Sequence, residues 1–294
     1  MIHRLRRLSP PLPLCQALSP SARLSPRASP WRVVVTRTAE QAHEFGDKLV
    51  AAGFTPLLFP AIALEALPSA PLDAALDKLA SFDWLIFTSG NGVDFFFRRV
   101  EERDLNPSWP PIAVVGQVTV DKLTTRNIPV AFMPDEFVGE ALVAGLGDLT
   151  GQKVLLPRAK IGRPEIAALL RAAGAELVEV ALYDTVTAVP TPEAWERLAQ
   201  GFEVVSFTSP SSVRNFLKLI TGKEEIEKWA ATAVILCIGP VTAEAAIANG
   251  LPHPIAPDEY TLDGMIAILE AKKNSYTEVR GENAASLREI HGGE

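Results

Sequence analysis

The sequence predicts an α/β protein built from two parallel-sheet domains, and three observations carry that expectation. Short β-rich apolar runs alternate with helical periods from Trp31 to about residue 270, the grammar of βαβ units. Four blocks recur in the same order: "VVVTR" (33–37) with "VLLPR" (154–158), "AAGFTPLLFPAI" (51–62) with "AAGAELVEVALY" (172–183), Phe87-Thr88-Ser89 with Phe207-Thr208-Ser209, and "VVGQVT" (114–119) with "CIGPVT" (237–242). Their offsets of 121, 121, 120 and 123 residues mark an internal duplication; the alternative is βα grammar recurring without one. Finally, 294 residues, 48% hydrophobic and 21% charged, suffice for two domains of ordinary size.

Residues 1–30 stand apart. They carry Arg4, Arg6, Arg7, Arg23 and Arg27 and five serines, and the chain has no acidic residue before Glu40. Arg- and Ser-rich, acid-poor composition is that of a cleaved organelle-targeting peptide, with a disordered basic tail as the alternative. A secretory signal is disfavoured, because "LPLCQAL" is short and interrupted by Pro. Without these five arginines the net charge of −7 falls to −12. An acidic body argues against generic nucleic-acid binding, which needs a basic face.

From Trp31 the elements follow in order. "WRVVVTR" (31–37) reads as a buried strand, and Ala42, Phe45, Leu49 and Ala52 then mark one face of a helix ended by Gly53. The same pattern returns at "WLIFTS" (84–89), "IAVVG" (112–116), "KVLLPR" (153–158), "VVSFTS" (204–209) and "VILCIG" (234–239). The second strand of each half, "TPLLFPAIALEAL" (55–67) and "ELVEVALYDTVTAV" (176–189), exceeds the usual length of about 5–6 residues. Strands that long permit a crossover arrangement. In it, 31–57 with 188–272 form one domain, 66–178 form the other, and 58–65 with 179–187 make a connecting two-stranded ladder. Sequential domains, 31–150 and 151–272, are the alternative. Residues 273–294 turn polar and are expected to be a disordered tail.

The chemistry gathers at the carboxyl ends of the strands, where parallel sheets place their ligands and helix N-termini offer free N–H groups. Candidate binding residues there are Arg37, Thr88, Ser89, Asn91, Gly116, Thr119, Arg158, Thr208, Ser209, Ser211, Ser212, Gly239 and Thr242. Small hydroxyls, Gly, Asn and two Arg suit several anionic groups. The hydroxyls and Asn are equally ordinary N-caps, the glycines suit tight turns, and the arginines suit surface ion pairs. Tyr183 is a core residue or a proton donor, and Cys237 reads as a small buried hydrophobe. With Cys15 in the leading segment, no disulfide is expected in the mature chain, and His3, His43, His253 and His291 lack metal-ligand spacing. No run reaches 18 apolar residues, so no membrane span is expected. "GQVTVDKL" lacks both G-x-G-x-x-G and the Walker Lys.

The motifs "LIFTSGNGV" (85–93), "AVVGQVT" (113–119), "LYDTV" (182–186), "FTSPSSVRNF" (207–216) and "CIGPVTAEAAIANGL" (237–251) resemble those of the uroporphyrinogen-III synthases, most nearly their plant plastid form. The resemblance spans 31 to about 270. It implies two α/β domains joined by a β-ladder, the first domain discontinuous, which favours the crossover arrangement. It also implies a cofactor-free cyclisation of hydroxymethylbilane, a linear tetrapyrrole with eight carboxylates, in haem and chlorophyll biosynthesis. Loss of water gives an azafulvene on ring A, ring D attacks to form a spiro intermediate, and that intermediate recloses with ring D inverted. Tyr183 matches the position proposed to assist departure of the hydroxyl, and Ser209 and Thr242 match cleft positions. A plastid stromal location, a monomeric state and a transient hand-over from hydroxymethylbilane synthase are expected with it. The rivals are a two-domain module that binds a polyanion without chemistry and a glycosyl or phosphoryl transferase, the latter disfavoured by the lack of a metal-binding Asp pair.

Overall fold

In the computed structural model, residues 30–136, 139–162, 165–220 and 223–275 are described. The expected targeting segment to residue 29, and the expected tail from residue 276, lie outside them. The chain divides into two units. Unit 1 holds the described residues up to Ala63 and those from Thr187 onward, and unit 2 runs from Leu64 to Val186.

Unit 1 is built on a four-stranded sheet in the order β2-β1-β8-β9. Its strands are β1 (Arg32–Val35), β2 (Thr55–Leu58), β8 (Val204–Phe207) and β9 (Val234–Cys237), all paired in parallel. Unit 2 carries the order β3-β7-β6-β4-β5. Here β3 (Ile62–Ala66) flanks β7 (Glu176–Thr187), followed by β6 (Lys153–Ala159), β4 (Trp84–Phe87) and β5 (Ile112–Val114). From β7 to β5 the pairing is again parallel.

The duplication is visible in these orders. If β6, β7, β4 and β5 are matched to β1, β2, β8 and β9, both sheets read the same way. Register agrees too, since Val33 faces Val204 in one sheet and Val154 faces Trp84 in the other. Isolated bridges repeat the match, Ala113 with Phe132 and Leu236 with Ile255. Each sheet therefore joins strands from both halves of the sequence.

Buried parallel strands alternate their side chains between two faces, and helices cover both. In unit 1, Val34, Val205, Phe207, Ile235 and Cys237 point into one core with α7 (Pro192–Ala199), α8 (Pro210–Leu219) and α10 (Pro240–Ala248). Val33, Val35, Val204 and Leu236 point into the other, against α1 (Ala39–Ala51) and the helical residues 262–275. Unit 2 repeats this. Leu85, Phe87, Ile112, Val114 and Leu155 pack with α2 (Ala70–Leu76), α3 (Gly90–Glu102) and α4 (Gln117–Thr124). Ile86, Ala113, Val154 and Leu156 pack with α5 (Gly139–Leu146) and α6 (Glu165–Ala172). A fully buried aliphatic or Phe side chain stabilises by about 1.5–3 kcal/mol. Helix α9 (Lys223–Ala230) completes unit 1 through Ile226 and Trp229.

Local signals explain the boundaries. Gly53 takes φ +75, as a left-handed helix terminator does, and its N–H reaches the Val50 carbonyl. The long run 55–67 is two strands rather than one, β2 in one sheet and β3 in the other; between them the Phe59 and Ala61 N–H groups still donate to the Val35 and Thr36 carbonyls. Pro60 has no N–H to donate, which favours a break there. Both passages between units occur within strands β3 and β7. Near them, the Ala188 N–H donates to the Ala61 carbonyl and the Leu67 N–H to the Leu182 carbonyl. At the far end the helix continues to residue 275, three residues into the expected tail, with Lys273 Nζ 4.8 Å from the Phe54 ring centroid.

Candidate active site

In unit 2, β4 ends in Thr88 and Ser89, both half-buried. Ser89 is extended (φ −163, ψ 149) and caps α3, its Oγ accepting from the Gly92 N–H at 3.2 Å. Asn91 lies in the first turn of α3 and is half-buried. Gly90 beside it leaves room for Lys122, whose Cδ would stand 2.7 Å from a Cβ there, as that side chain reaches Asp94.

At the end of β5, Gly116 has φ +86, a conformation that L side chains rarely adopt, and caps α4. Thr119 is buried, and its hydroxyl donates to the Val115 carbonyl at 2.9 Å. Arg158 stands inside β6 rather than beyond it, opposite Ala181, because the strand runs on through Pro157 to Ala159. Its Nη1 donates to Glu179 at 2.9 Å, and the same carboxylate takes Arg171 at 2.5 Å. Tyr183 on β7 is 5% exposed, with Oη 3.4 Å from Ser89 Oγ. Of the sequence-predicted residues in this unit, Ser89 and Tyr183 are the side chains brought together.

In unit 1, β1 is tied to β8 by buried hydroxyls. Thr36 Oγ1 donates to the Ser206 carbonyl and Ser206 Oγ to the Val34 carbonyl, each at 2.6 Å. Arg37 follows at the strand end. Burial lowers its guanidinium below the ordinary arginine value, with the Glu44 charge pulling the other way. Its buried Nε has no hydrogen-bond partner among the described residues, and Nη2 reaches Gln41 at 3.5 Å.

Beyond β8, Thr208 is half-buried and Ser209 forms a capping box with Ser212. The Ser212 N–H donates to Ser209 Oγ at 3.1 Å and Ser212 Oγ accepts from the Ser209 N–H at 3.2 Å. Ser211 Oγ accepts from Arg214 at 3.3 Å. Beyond β9, Gly239 is extended and caps α10, and a Cβ on it would lie 3.2 Å from the Tyr260 ring. Thr242 is buried, its N–H donating to the Gly239 carbonyl at 3.1 Å. Cys237 is buried and free, and burial pushes its thiol up to about 12.

One electrostatic feature escaped the motif reading. Helices α1, α2, α5, α6 and α7 each carry an acidic residue in the first turn: Glu40, Asp73, Glu140, Glu165 and Glu193. Helices α3, α4, α8 and α10 carry none. These four are the duplicated pairs that start at the ends of β4, β5, β8 and β9. An acid in the first turn stabilises a helix by about 0.3–1 kcal/mol, and leaving it out preserves the positive end for an outside anion. The signal was present in "GNGVD", "QVTVD", "PSSVR" and "PVTAE", once the helix starts were known.

Among the described residues no group of His, Cys, Asp and Glu is arranged to hold a metal ion, and no helix is long and apolar enough to cross a membrane.

The sequence matches the family described as uroporphyrinogen-III synthase HemD over residues 43–267. A curated relative from Synechococcus elongatus, named uroporphyrinogen-III synthase, is 34% identical over 81% of this chain and 94% of its own. A rice relative named uroporphyrinogen-III synthase, chloroplastic, is 30% identical over 82% of this chain and 81% of its own. Among solved structures, a mutant uroporphyrinogen III synthase from Thermus thermophilus aligns with TM-score 0.58 at 21% identity, covering 84% of this chain and 99% of that one. A uroporphyrinogen-III synthetase from Helicobacter pylori aligns with TM-score 0.57 at 21% identity, covering 82% and 99%. At that identity the likeness establishes the two-domain α/β fold.

Proposed function

The chain belongs to the uroporphyrinogen-III synthase family, and from that membership we propose that it cyclises hydroxymethylbilane to uroporphyrinogen III with inversion of ring D and loss of water. The structural observation that carries this reading to particular residues is the set of four helix starts without acid in the first turn. A substrate with eight carboxylates suits them. Their N–H groups, together with Thr88, Ser89, Asn91, Gly116 and Thr119 in unit 2 and Thr208, Ser209, Ser211, Ser212, Gly239 and Thr242 in unit 1, make up the set that holds the carboxylates, some by direct contact and some by shaping the turn.

Several of these side chains act through the backbone they shape. Thr119 gives its proton to the Val115 carbonyl and Ser212 is tied into its capping box, so both set the turn rather than donate outward. Arg37 supplies a charged donor, with its buried Nε unmatched by the described residues. Arg158 also carries charge, shared with Glu179.

The linear substrate closes without enzyme to the non-inverted type I isomer. The protein therefore accelerates the inverted route by holding a folded conformer and stabilising the charge that develops as the hydroxyl leaves as water. Tyr183 donates a proton to that departing hydroxyl, supported by its nearness to Ser89 at the start of α3. The test is incubation with hydroxymethylbilane followed by isomer-resolved chromatography. Type III product above the spontaneous type I background is expected, and type I alone would overturn the reading.

Residues 1–30 serve as a transit peptide to the plastid stroma, a reading supported by their acid-free composition and by the chloroplastic rice relative. A fluorescent fusion of residues 1–35 enters plastids; retention in the cytosol contradicts this. Because spontaneous closure competes, the enzyme receives its substrate by transient hand-over from hydroxymethylbilane synthase.

A further inference from the structure

Three features of unit 2 converge on the Tyr183 ring. The first is a slip in register. Strand β7 pairs with β6 residue by residue up to Arg158 opposite Ala181, after which Ala159 lies opposite Tyr183. Leu182 is the extra residue. An inserted residue changes the phase of side-chain alternation and re-aims the side chains after it. Leu182 and Tyr183, adjacent in sequence, are accordingly both 5% exposed, whereas Ala181 is exposed.

The second feature is a stack. The re-aimed phenol lies on Phe95 with ring centroids 4.8 Å apart and planes 17° from parallel. Other aromatic pairs in this core meet differently; Phe87 and Phe96, for instance, cross at 81°. The third is the Ser89 hydroxyl, 3.4 Å from Tyr183 Oη. Phe95 and Ser89 belong to one helix and its cap, six residues apart. A rigid helix thus sets both the plane of the phenol and the place of its oxygen. The face of Phe95 also carries the Arg98 guanidinium, whose Cζ is 4.9 Å from the ring centroid.

We propose that Phe95 is a positioning residue for Tyr183, acting by holding the tilt and plane of the phenol so that its hydroxyl stays beside Ser89 and keeps its direction. The proposal rests on the reading that Tyr183 donates the proton. The Tyr183 oxygen lies on the axis of its ring, so the ring plane sets the direction of the O–H, which prefers that plane. Without the Phe95 face the ring tilts and turns at Cβ, and the hydroxyl loses its alignment. A misplacement of about 1 Å costs up to about a hundredfold in rate.

Steady-state kinetics of the full chain on hydroxymethylbilane test this. Phe95→Leu is expected to lower kcat about tenfold with KM changed less than about twofold, and Phe95→Trp, which restores a flat face, to stay within about threefold of the parent. The Phe95→Leu/Tyr183→Phe double variant is expected to be no slower than Tyr183→Phe alone, because both changes remove the same aligned hydroxyl. Should Phe95→Leu fail to fold, Phe95→Met takes its place in the same cycle. A parental kcat for the aliphatic variant, or effects that multiply in the double variant, overturns the proposal while leaving Tyr183 as donor. Failure of the donor reading is distinct, since Tyr183→Phe itself would then turn over at the parental rate.

Discussion

At Arg37, a charged side chain is drawn out of water at a strand end while its Nε finds no partner among the described residues. A buried, unsatisfied donor costs free energy, typically about 1–3 kcal/mol, and a bound carboxylate would remove that cost. Arg37→Gln is therefore expected to raise KM about tenfold with a smaller change in kcat, as a lost charge-assisted hydrogen bond predicts; an unchanged KM would make its burial purely structural. Tyr183→Phe is expected to show the opposite split, slowing turnover more than it weakens binding. Cys237 gives a test of packing. With its thiol pushed up to about 12 by burial, a Cys15→Ser protein should resist iodoacetamide at pH 8 until it unfolds, and rapid labelling of the native state would contradict the buried placement.

Helix starts carry the next level of organisation. The capping box at α8 satisfies N–H groups on both sides of the Ser209–Ser212 turn, so Ser212→Ala should destabilise the protein by about 1 kcal/mol, read as a lower midpoint in urea. These starts were readable because "FTSPSS" and "FTSGNG" place a hydroxyl just before a helical period. The strands were readable for a similar reason: runs such as "VVVT" and "WLIF" are buried on both faces and need no alternation. The features that sequence reasoning missed depend on pairing partners. The run 55–67 breaks at Pro60 into two strands, Arg158 remains inside β6, and the slip at Leu182 exists only because β6 and β7 fall out of step. A single strand cannot announce the register of its neighbour. The acid-free first turns were plain in the text, but they acquire meaning only by contrast with the helices that do carry an acid.

At the scale of the whole chain, unit 2 is continuous in sequence and unit 1 is not. A fragment of residues 64–186 contains β4 to β7 and both unit 2 cores, so it should unfold cooperatively by circular dichroism. A fragment of residues 187–275 lacks β1, on which β8 pairs in unit 1, and should not; cooperative unfolding of that piece would contradict the sheet order. Each unit depends on this borrowing across halves. The first half of the duplicated sequence gives β1 and β2 to one sheet and β4 and β5 to the other, while the second half reciprocates with β8 and β9, and with β6 and β7. Two separate half-length polypeptides exchanging strands in this way would make a symmetric homodimer, neither subunit of which could close a sheet alone. A single chain that carries both copies makes that exchange intramolecular and leaves each copy free to differ, as Gly90 and Pro210 do at otherwise matching helix starts.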